Sequence, residues 1–147
     1  MTSVETNTFR VNGGASFKGT SGLFELVFDD RITFTDAAVN GLLSGLVVGP
    51  TNLKFYMGSG GGKWSYHGLI SSSGGSTTTT TLTPPREVPV APVLNAVSTA
   101  TYIQSADSGG GSVVNEQQSV RNTYLGVVQV TVAAGTFSAC KILEDTT

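Results

Sequence analysis

Charge is scarce in this sequence. Asp, Glu, Lys and Arg make up 12% of its 147 residues, against roughly 25% in an average soluble domain. The basic residues Arg10, Lys18, Arg31, Lys54, Lys63, Arg86, Arg121 and Lys141 stand singly. A phosphate backbone is neutralised by clusters of such residues, so nucleic acid is excluded as an expected partner. Cysteine is nearly absent as well. Cys140 alone can form neither an intrachain disulfide nor a thiolate metal cluster, which leaves a half-buried small apolar residue or an intermolecular disulfide that makes a covalent dimer and nothing larger.

No apolar run approaches the ~20 residues that a membrane-spanning helix requires. Met1–Thr8 has none of the basic-then-apolar grading of a secretion signal, so an exported form is expected to begin after its signal. Histidine, the commonest general acid–base group, occurs once, as His67, and its strand position reads as solvent-facing. Asp29, Asp30 and Asp36, with Asn40 nearby, lack the regular ligand alternation and closing Glu of a calcium loop and read as turn formers. The glycine stretches Gly58–Gly62 and Gly109–Gly111 are not followed by the helix that a phosphate cradle needs. No catalytic, cofactor-binding or metal-ligating residue is therefore expected, and the expectation is a protein that is not an enzyme.

What the chain does contain is Gly, Ser, Thr and an apolar fraction of 39%. With a formal net charge of −2, that balance belongs to a folding chain rather than a disordered one, and the length fits a single domain over residues 1–147. The dominant period is two, as half-buried strands demand. Thr8–Val11 and Ala15–Lys18 read as a hairpin about an Asn12-Gly13-Gly14 turn. Leu23–Phe28 sets Leu23, Glu25 and Val27 against Phe24, Leu26 and Phe28, and the aromatic side is expected to face the core. Asp29-Asp30 reads as a turn into Ile32-Thr33-Phe34. Asp36–Val48 reads as a turn of helix or loop and then a strand at Leu43–Val48.

Asn52–Met57 and Lys63–Gly68 form an expected hairpin across the glycine loop. Phe55, Tyr56, Trp64 and Tyr66 on it are the candidate ligand or interface aromatics, although alternating strand aromatics are commonly core. A Ser-, Thr-, Gly- and Pro-rich stretch at 71–97 reads as a crossover. Its Thr run suits either a linker or a strand, and Pro84, Pro85, Pro89 and Pro92 mark a change of edge or sheet. Ser98–Ser105 and Val113–Arg121 flank a glycine turn, and Thr123–Thr131 pairs with Thr136–Leu143. In that last pair Tyr124, Gly126, Val128, Val130 and Val132 are expected to share one face. The resulting fold class is all-β and antiparallel, either a strongly curved half-barrel sheet or a β-sandwich, with at most one short helix.

The run Val130-Thr131-Val132-Ala133-Ala134-Gly135-Thr136-Phe137, continuing to Cys140-Lys141-Ile142, resembles a closing hairpin of bacterial secreted proteins and lipoproteins of unknown function. There it is written VTVPAGTF followed by CK and an aliphatic residue, and Ala133 stands here in place of the proline. The resemblance covers roughly the C-terminal 65 residues, including the Pro-rich stretch. It implies a highly curved antiparallel sheet similar to the half-barrel of periplasmic lipoprotein carriers, and an extracytoplasmic address.

Two functions follow as expectations. One is a structural or interaction module that self-associates through edge strands into a homo-oligomer or filament, with Thr2–Phe9 reaching to a neighbour. The other is a secreted or periplasmic carrier that holds an apolar ligand on a concave sheet under a cover at Ala37–Val48.

Overall fold

The computed structural model describes residues 3–34, 51–132 and 135–146, with side chains described from Thr8 to Asp30 in the first of these segments. Among the described residues the chain is all-β, a single antiparallel sheet of eight strands in the order β1-β2-β3-β4-β5-β6-β7-β8, without closure into a barrel. The strands are β1 (Ser3–Phe17), β2 (Thr20–Phe34), β3 (Thr51–Gly60) and β4 (Lys63–Ser73). They continue as β5 (Ser76–Pro89), β6 (Val97–Asp107), β7 (Val113–Val132) and β8 (Gly135–Thr146). One sheet excludes the sandwich alternative for this part of the chain. The helix and strand expected within Asp36–Val48, and the cover at Ala37–Val48, lie outside the described residues.

Several local readings are corrected by the ladder. Asn12–Gly14 is a bulge inside one continuous strand, because the register of β1 on β2 shifts between Asn12 and Ala15 and the reversal comes later, between Phe17 and Thr20. Asp29 and Asp30 are paired strand residues of β2, so the expected turn there is absent. Residues Ser3–Phe9 are paired with Phe28–Phe34 rather than forming a free arm. The Thr run is strand β5, and its prolines produce no change of sheet, since β6 follows as its immediate neighbour. The β-branched threonines supply pleated surface on both faces, while Pro84 and Pro85 fall in the part of β5 where pairing to either neighbour lapses.

Residues opposed across an antiparallel ladder point to the same face, so the registers define two faces. The Leu23 face carries Ala15, Leu23, Val27 and Tyr56, and the Phe24 face carries Val11, Phe24, Leu26, Phe55, Met57 and Tyr66. A buried cluster on the Leu23 face joins Phe17, Leu23 and Tyr56, with Ala15 and Ile70 against it. A second cluster, Leu82, Tyr102 and Val120 with Tyr66 and Ala100, lies on the opposite face. The aromatic side of β2 was expected to be the core side, but Leu23 and Val27 are the buried residues and Phe24 is exposed.

Each cluster forms where the sheet bends over it. Phe17 of β1 stacks on Tyr56 of β3 with ring centroids 4.4 Å apart, although two strand spacings of about 4.8 Å separate those strands in a flat sheet. The tip of the β1–β2 hairpin therefore curls over the Leu23 face. On the other face Arg86 of β5 pairs with Glu144 of β8 and donates to Asn122 of β7. Strands β5 and β8 stand about 14 Å apart when flat, so the sheet folds toward the Phe24 face at this end. Its two ends curl in opposite senses.

Gly68 marks the tightest approach. It has φ +151°, and a Cβ there would lie 2.1 Å from the Thr80 carbonyl oxygen and 2.9 Å from a Phe17 ring carbon. Gly68→Ala is expected to cost about 2–4 kcal/mol by displacing backbone and the Phe17 ring. Gly61, at φ +58° with open space around it, isolates the conformational part, and Gly61→Ala should cost about 1 kcal/mol. Urea unfolding of both variants checks the ordering, and equal losses would show that the close packing at Gly68 does not matter.

Candidate interaction surface

Among the described residues, none covers Val11, Phe24 and Trp64 on the Phe24 face, which are exposed. Val11 opposes Leu26, Phe24 opposes Met57 and Leu26 opposes Phe55. Trp64 leans edge-on against Phe24, centroids 6.2 Å apart. Val11, Phe24, Leu26, Met57 and Trp64 line an open apolar depression of about 360 Å³. Phe9, opposite Phe28, extends this apolar face along β1.

The four candidate aromatics are not brought together as one platform. Trp64 lies in the depression. Phe55 and Tyr66 share its face, with ring centroids 6.2 Å apart, and Tyr66 also packs on the second buried cluster. Tyr56 is buried on the opposite face, under Phe17. Of the residues that complete the patch, Phe24 and Leu26 had been expected to face the core, while Phe9, Val11 and Met57 stood in expected strands with no face assigned.

A second uncovered surface lies at the other end. Strand β7 leaves β6 after Thr123 and continues paired with β8 alone, flanked only as far as Tyr124 and Gly126 by the 90–96 connection. Val127–Val132 and Gly135–Cys140 thus form a two-stranded arm that no third described strand joins, roughly 20 Å long at the usual rise per residue. One side is apolar: Val130 opposes Phe137 and Val128 opposes Ala139. The other is largely polar, with Gln129 donating to Ser138 at 2.8 Å and Thr131 bonded to Thr136 at 3.0 Å. Tyr124 was expected on the Val128 side, but the irregularity between Tyr124 and Gly126 turns it to the other. Cys140 is exposed rather than half-buried.

The polar groups form a separate groove on the Leu23 side, lined by Ser65, His67, Pro84, Pro85, Glu87, Thr99, Ala100 and Thr101. His67 is partly buried rather than fully solvent-facing, and burial lowers its pKa, which keeps the ring neutral at pH 7. Its Nε2 lies 3.2 Å from the Ser65 Oγ. The neighbouring Glu87 carboxylate is held by Lys63 at 2.5 Å, so it is committed to an ion pair rather than to orienting the ring. Among the described residues no group of His, Cys, Asp and Glu is placed to hold a metal ion, and no helix is long and apolar enough to cross a membrane.

Two phenols report how the clusters are built. Burial pushes the Tyr66 hydroxyl up to about 12, with nearby Tyr102 adding to the effect and Arg86 opposing it. Burial also raises Tyr56 to about 12, aided by the Glu25 carboxylate that accepts its proton at 3.0 Å. Glu25 itself is lowered, chiefly by the Asn12 hydrogen bond and against its own desolvation. An unfolded tyrosine ionises near pH 10, so above that pH the unfolded chain loses protons that the folded chain keeps. The contribution of these two tyrosines to stability is then expected to be constant below pH 10 and to fall between pH 10 and about 12. Urea midpoints measured across that window should decline less steeply in Tyr66→Phe, and an unchanged slope would mean that Tyr66 is not held neutral by the fold.

Compared with family models, curated proteins and solved structures, the chain matches none.

Proposed function

We propose that this chain is a non-catalytic structural or interaction module that associates with copies of itself. The observation that carries this reading is the apolar surface that the described strands leave exposed, Phe9, Val11, Phe24 and Trp64 on the Phe24 face and Val130, Val132 and Phe137 on the β7–β8 arm, since exposed apolar patches mark interaction sites.

The sheet's ends support the same reading. Among the described residues strands β1 and β8 terminate the strand order, so each has one side that no described strand pairs. Such edges template pairing with another chain unless charge, proline, a bulge or a covering element blunts them; Lys141, Glu144 and Asp145 charge the end of β8, while its first half, Gly135–Cys140, carries no charged residue. The closing hairpin's resemblance to secreted proteins and lipoproteins supports an extracytoplasmic setting, at a cell surface, in a periplasm or in a secreted assembly. An exposed Cys140 is compatible with a covalent link between copies in an oxidising compartment.

A second reading, an apolar-ligand carrier, is favoured by the depression lined by Val11, Phe24, Leu26, Met57 and Trp64. Light scattering on a sizing column at neutral pH, with electron microscopy of the largest fraction and mass spectrometry of an organic extract, separates the two. Assemblies of several chains without extracted lipid are expected. A monomer of 15.1 kDa carrying lipid would replace the structural reading with the carrier, and an empty monomer would overturn both.

A further inference from the structure

The eight strands do not form one uninterrupted ladder. Strand β5 pairs with β6 only over Thr79–Thr83, and with β4 over Ser76–Thr81 and again over Arg86–Pro89. Strand β6 meanwhile runs from Val97 to Tyr102 on β7 alone. Among the described residues no ladder pair therefore joins Arg86–Pro89 to Val97–Tyr102, and the sheet splits between β5 and β6. Pro84 and Pro85 stand where the split begins, and neither has an N–H to donate to a ladder. The polar groove lined by Ser65, His67, Glu87, Thr99 and Thr101 is the Leu23 side of this split.

His67 sits at its apex. Tyr56 opposes Gly68 and Met57 opposes Tyr66, so His67 is an inserted residue without a partner on β3. On the other side the pairing passes from Gly68–Thr81 to Tyr66–Arg86, so Leu82–Pro85 stand against His67 alone. A bulge of this kind re-aims a side chain and leaves it out of the ladder. Here the imidazole points to the Leu23 face, with Nε2 3.2 Å from the Ser65 Oγ. Gly58 makes the room, since a Cβ there would stand 2.7 Å from that Oγ and 3.4 Å from Nε2.

We propose that His67 is a pH-sensitive hinge, whose protonation in mild acid widens the groove between β5 and β6. The device is independent of self-association and operates equally in a monomer or an assembly. His67 is the one histidine of the chain, and imidazole is the side chain whose ordinary pKa lies between pH 5 and 8. Once protonated, both of its nitrogens are donors. The carboxylates on this face are already engaged: Glu87 with Lys63, Glu25 with Asn12, Tyr56 and Lys54, and Asp29 with Arg10. Gly58 of β3 and Leu23 of β2 bring no charge. On β7, Arg121 stands opposite Thr99, with Asp145 of β8 beyond it, and a cation at Arg121 opposes a second one in the groove.

Burial also disfavours the charged ring, so protonation draws it toward water. The split is the side on which no ladder bond has to break. The Arg86–Glu144 pair spans the opposite face, where it serves as the pivot and survives the opening. A ring exposed by opening protonates near pH 6.5 and the closed one lower. Closure is thus fully favoured above that pH and weakens as pH falls.

The test follows the ring and the groove in the full chain. Imidazole NMR signals between pH 8 and 5 report a single titration, because there is a single histidine. Double electron–electron resonance between spin labels on Pro89→Cys and Thr99→Cys, exposed positions on the two sides of the split, reports its width. Cys140→Ser and dilution into unlabelled chain keep the signal to one pair within one molecule. The distance is expected to shift to longer values with the midpoint of the ring, below pH 6.5. His67→Gln, which keeps a neutral polar group beside Ser65, is expected to hold the pH 8 distance throughout.

A distance that stays fixed while the ring titrates overturns the proposal, as does a ring that remains neutral down to pH 5. A widening that persists in folded His67→Gln assigns the change to another group. Circular dichroism lost in step with the distance would mean that the whole sheet melts, which also contradicts a hinge. If His67→Gln does not fold, the wild-type midpoints decide, and a ring and a distance that change at different pH overturn it.

Discussion

The described residues form a single sheet with no second layer, which buries a side chain only where its own strands bend over it, and the rest of this structure depends on that constraint. Most globular domains pack one layer against another around a common interior. Here the ladder satisfies the backbone, and the described residues hold two small clusters. Phe17, Leu23 and Tyr56 are enclosed where the β1–β2 hairpin curls one way. Leu82, Tyr102 and Val120 are enclosed where β5 to β8 fold the other way. Full burial of one such side chain contributes about 1.5–3 kcal/mol, so two short clusters leave the fold reliant on tight approaches such as that at Gly68.

The same geometry explains the uncovered surfaces. A sheet that curls in opposite senses uses one face at one end and the other face at the other, and each unused face keeps its apolar residues exposed. The Phe24 face of β1–β4 and the apolar side of the arm are these remainders. In a monomer they are a liability, since exposed apolar patches and open edges invite uncontrolled association. If the proposed self-association holds, these surfaces are where contact would be made, and the scarcity of charge accords with that.

Strand content was legible because alternation is a local property. The hairpins at Asn52–Gly68 and Thr123–Leu143 and the glycine turns near Gly61 and Gly109 follow from side-chain period and positive-φ residues alone. The choice of face in β2 was not legible. Leu23, Glu25, Val27 and Phe24, Leu26, Phe28 are both plausible core sets, and burial was decided by Phe17 folding over from another strand, a non-local event. Bulges were equally hidden. The irregularity between Tyr66 and Gly68 puts Tyr66 on the Phe24 face and Gly68 opposite Tyr56 on the other. The shift after Tyr124 turns that ring away from Val128. Of the candidate aromatics, Trp64 lies in the depression and Tyr56 in the interior, a division that depends on register rather than residue type.

The central claim is that the apolar surface left over by the fold is an interface between copies. Hydrogen–deuterium exchange measured over a wide range of protein concentration tests it most directly, because association slows exchange only where amides become covered. The account predicts that amides of the arm, Val127–Val132 and Gly135–Cys140, and of β1 near Val11 gain protection together as concentration rises, while the polar hairpin turn at Gly109–Gly111 does not change. Exchange at the arm and at β1 that is independent of concentration would contradict it.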